Sequence, residues 1–261
     1  MAYTSYNAIG KEYDHTRTAD PFLCERLFDL LKVGSGAEVL DVGCGTGNYS
    51  VAMSGHGLRM TGVDPSEAML GQAGRKSDRI TWVPGTAEAL PFPDATFDGA
   101  MATLTTHHWV DLEQGLREVY RVLRSGARVV IFTSTPEQMQ RYWLCHYFPR
   151  MMARSCAVMP TLEATTSALY SAGFRHSEQE RYDIRPNLKD CFLYAAKNHP
   201  ARYLDPDFRK GISSFAALSN HDEVTNGLKE LARDIETGTW HSIRAKVDLT
   251  GGDYLFVVAT K

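Results

Sequence analysis

Between about residues 36 and 136 the apolar positions follow two patterns in turn. The runs "AEVLDV", "RMTGVD", "ITWVPG", "FDGAMATLT" and "RVVIFTST" are short and mostly apolar. That is how strands buried on both faces of a parallel sheet read. Between them lie amphipathic stretches at helical spacing. "NYSVAMSGHG" closes at a glycine, "PSEAMLGQAGRK" has Pro65 in its first turn, and "LEQGLREVYRVLRSG" ends in Gly126. A further helix precedes the first run, from about Asp20 to Lys32. Leu23, Leu27, Leu30 and Leu31 form its stripe, with Pro21 early and Gly34 just past the end. Strand and helix alternate five times in about a hundred residues, which predicts an α/β fold with a doubly wound parallel sheet.

After Pro136 the rhythm loosens. "TLEATTSALYSAGF" predicts a helix and "HSEQERYDI" a strand. Residues 188–240 read as mostly helical, with aromatics at Phe192, Tyr194, Tyr203, Phe208 and Phe215, and "DYLFVVAT" is a last apolar strand. A helical block between two late strands predicts a cap over the sheet, where binding clefts are common. The expected organisation is an N-terminal helical lid (1–35), a cofactor-binding core (36–136), and a remainder (137–261) that holds the cap and the final strand.

Composition narrows the function. The chain has 261 residues, 43% hydrophobic and 23% charged, with a net charge of −3 and no basic cluster. No electrostatic footprint for a nucleic acid is present. No run approaches a membrane span, and the acidic, polar N-terminus is not a targeting signal. Cys24, Cys44, Cys145, Cys156 and Cys191 are odd in number and lack a C-x-x-C spacing. Free thiols in a reducing, cytoplasmic setting are expected, and no metal site.

The candidate chemistry begins at "VLDVGCGTGNYS". In an open parallel sheet the ligand sits beyond the carboxyl ends of the strands, where the strand order reverses. Gly43, Gly45 and Gly47 let the backbone turn tightly there and approach a ligand. Their G-x-G-x-G order departs from the dinucleotide fingerprint G-x-G-x-x-G, but glycine count alone does not decide between ligands. The acids do. Asp41, at the end of the first strand, repels a pyrophosphate and suits an ammonium. Asp64, at the end of the second, is placed to accept from both ribose hydroxyls. Two acids and a glycine turn describe a nucleoside with a cationic tail, the charge pattern of S-adenosylmethionine.

"VLDVGCGTGNYS", "GVDPSEAML", "GTAEALPFPDATFD", "HHWVD" and "EVYRVLRSGARVVIF", in this order, resemble the class I S-adenosylmethionine-dependent methyltransferases. The small-molecule group with ubiquinone/menaquinone and trans-aconitate methyltransferases is the nearest in pattern. The resemblance covers about Tyr6 to Pro136. It implies a Rossmann-like, mostly parallel seven-stranded sheet whose last strand is antiparallel. It also implies that the loop from Asp41 to Gly47 holds the methionine part, Asp64 the ribose, and Pro65, Ser66 and Met69 the adenine face. Thr86 and the backbone of Ala87 would meet the adenine edge, with Thr86 standing where many relatives have Asp. Tyr6 and Tyr13 would contact the methionine end, and Arg17 would pair with its carboxylate.

His107 and His108 follow the fourth strand, beside the expected position of the methyl group. An imidazole there acts as a general base or simply braces the loop and lines the pocket. Trp109 is expected in the core. Tyr142, Tyr147 and Phe148 belong either to an acceptor pocket or to the core. The expected activity is methyl transfer to O, N, C or S of a small molecule. The alternatives are a module that binds S-adenosylmethionine without turnover, and an NAD-dependent oxidoreductase, which Asp41 disfavours. The acceptor and the oligomeric state are left open.

Overall fold

The structure is a computed structural model of the chain and describes residues 16–247 and 250–261. Its frame is one seven-stranded sheet in the order β3-β2-β1-β4-β5-β7-β6. The strands are β1 (Glu38–Val42), β2 (Arg59–Asp64), β3 (Thr81–Pro84), β4 (Phe97–Thr103), β5 (Leu123–Thr133), β6 (Arg175–Tyr182) and β7 (Tyr254–Thr260). The first five pair in parallel, and β7 runs antiparallel between β5 and β6. This is the Rossmann-like α/β arrangement expected from the sequence.

Alternation along each strand builds two apolar layers. Val39, Met101, Val130, Phe132, Phe256 and Val258 face one way. There they meet α1 (Pro21–Leu31) and α2 (Asn48–Ser54). Leu40, Ala100, Ala102, Val129, Ile131 and Val257 face the other way. They lie under α4 (Leu112–Val122) and α8 (Leu162–Ala172), while α3 (Glu67–Lys76) packs beside β2 and β3. Leu23, Leu27 and Leu31 of α1 are fully buried, each stabilising the fold by roughly 1.5–3 kcal/mol relative to exposure. Asp20 caps α1 by accepting from Leu23 N at 3.1 Å. The helix stops at Lys32, whose φ of 53° is left-handed; Gly34 does not make the cap.

Local chemistry moves two boundaries. Pro65 lies before the first turn of α3, because Ser66 is the N-cap and accepts from Met69 N at 3.3 Å. The helix α4 ends at Val122 and not at Gly126. Leu123 already pairs with Phe97, and Gly126 (φ 79°) shapes an excursion inside the long strand β5.

Beyond β5 the chain forms three short helices, α5 (Pro136–Met139), α6 (Leu144–Tyr147) and α7 (Pro149–Val158), before α8 and β6. The cap follows. Residues 188–199 are turns with no helix. Then come a 3-10 turn (Pro200–Leu204), α9 (Pro206–Lys210), a π turn (Ser214–Leu218), α10 (His221–Glu236) and α11 (Thr239–Ala245). Two contacts tie the cap to the rest of the fold. Lys197 Nζ lies 2.6 and 2.5 Å from the two carboxylate oxygens of Asp253 at the mouth of β7. Asp20 Oδ2 accepts from Lys189 N at 2.9 Å.

Candidate active site

The strand order reverses at β1, which has β2 on one side and β4 on the other. The glycine loop leaves from its carboxyl end, so the site sits where the topology opens a crevice. A cavity of about 1070 Å³, its open mouth included, occupies that crevice. The floor is a hydrogen-bonded turn: Gly43 N and Cys44 N donate to Val63 O at 2.8 and 3.0 Å. Asp64 braces it from β2, accepting from Gly45 N and Ser66 N, both at 2.9 Å. Asp64 therefore shapes the loop as well as facing the cavity.

The glycines serve different ends. Gly43 (φ 73°) lies so close to the loop after β4 that a Cβ would come within 2.0 Å of Thr105 Oγ1. Gly43 and Gly45 line the cavity, and Gly47 does not. A Cβ on Gly47 would instead lie 2.3 Å from the Trp82 ring, so this glycine seats the start of α2 against β3. Gly47, expected at the cofactor, is thus placed behind the cavity lining and beside Trp82.

Asp41 is almost wholly buried and accepts from Ser50 Oγ at 2.5 Å. Burial pushes its carboxyl up to about 7; the Ser50 hydroxyl pulls the other way, and the nearby Asp64 charge adds to the rise. Asp64 is also raised by burial, against the pull of its two backbone donors. The crevice thus holds a pair of acids whose ionised forms burial disfavours, and a cation seated beside them would offset that cost.

The cavity is lined by Asp41 and Asp64 together with Pro65, Ser66, Met69, Thr86 and Ala87. Arg17 and His108 also line it. Tyr6 and Tyr13 fall outside the described residues. Arg17 differs from expectation: it is already paired. Its Nε lies 2.5 Å from Asp190 Oδ1, and its Nη2 3.3 Å from Oδ2, which also accepts from Tyr49 OH at 3.1 Å. Asp190 and Tyr49 both line the cavity and were not foreseen. Trp109, expected in the core, is only half buried and lines the cavity while packing on Gly115.

His107 and His108 end a 3-10 turn that starts at Thr106, after Leu104 takes a left-handed φ of 53°. Their rings lie 3.8 Å apart. His108 faces the crevice and a second cavity of about 1270 Å³, mouth included; His107 faces only the second. Arg17 and Leu104 are also common to both. Burial lowers His108 to about 4. Burial, with His108 and Arg17 nearby, lowers His107 well below the usual imidazole range. Both rings are neutral near pH 7. The Nδ1 of His107 is buried without a hydrogen-bond partner among the described residues.

The aromatic group after β5 resolves as core. Tyr142 stacks on Tyr194 at 3.8 Å and donates to Asp253 O. Tyr147 donates to Asp234, and Phe148 is fully buried. None of the three lines either cavity. Among the described residues, His146, Glu230 and Asp234 bring potential ligand atoms within 4.8 Å of one another. The Arg233 guanidinium lies 3.8 and 3.3 Å from the two acids, so a cation there would meet a like charge.

The sheet order, the braced glycine turn and the two buried acids define a nucleoside-cofactor site of the methyltransferase type, and its residues fit S-adenosylmethionine. Comparison with known proteins agrees. A family described as a methyltransferase domain matches residues 40–131. A demethylmenaquinone methyltransferase of Mycobacterium sp. (strain JLS) is 34% identical over 59% of this chain and 71% of its own length. A malonyl-[acyl-carrier protein] O-methyltransferase of Erwinia pyrifoliae is 39% identical, but the match spans only 42% of each chain. A solved structure from Anabaena variabilis, provisionally assigned as a methyltransferase of an antibiotic biosynthesis pathway, is 33% identical with a TM-score of 0.85. That match covers 94% of this chain and 99% of the other. The chain belongs to the S-adenosylmethionine-dependent methyltransferases.

Proposed function

We propose that the protein moves the methyl group of S-adenosylmethionine, held in the first cavity, to a small molecule held in the second. The observation that carries this reading is the junction. Arg17, Leu104 and His108 line both cavities, so a donor and an acceptor seated there meet at the His turn. A relative named for demethylmenaquinone supports a small-molecule acceptor. The net charge of −3 and the lack of a basic cluster speak against a nucleic acid.

The cofactor supplies an electrophilic methyl group on a sulfonium. The residues of this chain do the rest. Asp64 takes the ribose and Ser66, Met69, Thr86 and Ala87 the adenine. Asp41 and the Gly43–Gly45 backbone receive the methionine end, while the Arg17–Asp190 pair presents both charges to a zwitterion. His108, neutral and beside the junction, holds the proton an acceptor loses, with His107 next to it on the acceptor side. Alignment of donor and acceptor supplies much of the acceleration.

The segment before α1 serves as a lid and residues 188–240 as a cap in this proposal. Location in the cytoplasm is part of it too. All five cysteines are unpaired. No helix among the described residues is long and apolar enough to cross a membrane. The test is mass spectrometry of small-molecule extract incubated with the protein and methyl-labelled cofactor, with the Asp64→Ala variant as control. A labelled small molecule dependent on the intact site is expected. Calorimetry showing tighter binding of NAD than of S-adenosylmethionine would overturn the proposal.

A further inference from the structure

The second cavity opens to solvent through a mouth of its own. Much of its wall is apolar, with Met139, Phe192 and Ile212 buried inside. Two of its lining residues are exposed instead: Val158 at the end of α7, with 46% of its surface free, and Ala217 in the π turn. Leu218, next to Ala217, lines the cavity too. None of these three borders the cofactor cavity. The opening therefore lies between α7 and the π turn, whereas the junction with the cofactor lies at the His turn. A ligand entering here need not pass the cofactor.

A cation stands at this mouth. Arg154 precedes Val158 by four residues, and so shares its face of α7. It is exposed, and its Nη1 donates to Leu218 O at 3.2 Å. Among the described residues no carboxylate pairs with it. Glu223 touches α7 at the helix's other end, where it accepts from Arg150 N and Met151 N. One carbonyl uses one of the five guanidinium N–H groups of Arg154, and the rest stay open to a ligand.

The position of charge selects the ligand. No carboxylate lines the cavity among the described residues, so an ammonium drawn inside would lose its hydration without a counter-charge. An anion drawn to the inner end would also lose its water, and the Arg17 guanidinium there is held by Asp190. An anion left at the mouth keeps most of its hydration and meets Arg154.

We propose that the second cavity takes an elongated amphiphilic acceptor, with its reacting end at the His turn, an apolar body along the wall, and a carboxylate or phosphate at Arg154. The proposal rests on the methyl-transfer reading above and makes Arg154 a specificity-determining residue. The Met139, Phe192 and Ile212 side chains hold the body, and the mouth leaves the charged end in water.

The test uses the full chain loaded with S-adenosylhomocysteine, titrated calorimetrically at pH 8 with dodecanoate and with dodecan-1-ol as probes of one chain length. Arg154→Met should weaken dodecanoate by about three- to fivefold, the upper scale of an exposed ion pair, and leave dodecanol unchanged. Arg154→Lys should keep most of the dodecanoate affinity. The loss in the Met variant should shrink at high salt, where a surface pair is screened. Ala217→Trp, which fills the mouth, should weaken both probes while the loading step stays normal. An Arg154→Met effect equal for the two probes, a loss independent of salt, or full probe binding in Ala217→Trp would overturn the proposal. Failure to load S-adenosylhomocysteine removes the methyl-transfer reading and this one with it, whereas normal loading with the wrong probe pattern removes this one alone.

Discussion

Asp41 stores free energy against the fold, and Asp41→Asn should release it. The carboxyl is buried and raised from 3.8 to about 7. A folded pKa above the unfolded one means that folding favours the protonated acid. The ionised form therefore destabilises the native state, beginning above about pH 4 and reaching its full cost above about pH 7. The shift of about three units corresponds to roughly 4 kcal/mol at full ionisation. Between pH 5 and pH 8 the cost grows by about 2–3 kcal/mol. Asparagine has the same shape and still accepts from Ser50, but carries no charge. Urea unfolding of the cofactor-free protein should show the Asn variant gaining about that much over the parent between the two pH values. The same variant should bind S-adenosylmethionine more weakly, because the cation that compensates Asp41 loses its partner. Cofactor binding to the parent near pH 6–7 should release protons, seen as a buffer-dependent calorimetric enthalpy. A stability difference that does not change with pH would refute the reasoning.

Asp64→Ala should weaken cofactor binding by about 1.5–3 kcal/mol, the scale of charge-assisted hydrogen bonds; equilibrium dialysis against a folded variant with unchanged affinity would remove the ribose assignment. Gly47→Ala should lower stability by about 2–4 kcal/mol, since the Cβ meets Trp82 at a left-handed φ, with cofactor affinity changing little once folded; thermal melts and dialysis read both. His108→Gln should flatten the loss of stability on acidification: the lowered imidazole contributes stability above about pH 6.5 that is lost as pH falls towards about 4. Lys197→Met should cost about 3–5 kcal/mol by leaving Asp253 buried without its counter-charge, and adding Asp253→Asn should recover part of the loss in the same denaturation assay.

The sheet was legible because its signal is local. Each strand from β1 to β5 carries its own apolar run, and the two faces separate by alternation, so Val39 and Leu40 fall into different layers. Asp41 and Asp64 were legible for the same reason, as acids at strand ends. Asp190 was not. It lies 141 residues from Tyr49 and 173 from Arg17, in a polar turn with no periodicity. Only the folded cap gives it meaning. The second cavity was illegible on the same ground, being assembled from the N-terminal segment, the His turn, α5, α7, the cap and β7. Trp143 and its aromatic neighbours illustrate the opposite failure. Their stripe is consistent with a pocket or a core. The choice is made by Trp143 Nε1, which donates to Lys197 O at 2.9 Å inside the cap, away from either cavity.

The cap links the two halves of the proposed chemistry. Lys197–Asp253 fixes one end of its first segment to β7, and Asp190 holds Arg17 from the same segment. Phe192 and Leu193, lying between those two anchors, line the second cavity. A charge placed on Arg17 from the cofactor side must therefore be felt by the segment that walls the acceptor side. If the methionine carboxylate draws Arg17 from Asp190, the wall at Phe192 shifts, and acceptor affinity depends on which nucleoside is bound. S-adenosylhomocysteine and methylthioadenosine share the adenosine group that the proposed site takes, but only the first carries the carboxylate. A largely apolar probe of the second cavity should then bind differently to the two complexes of the parent protein and identically to those of Asp190→Asn, and equal affinities in the parent would refute the coupling.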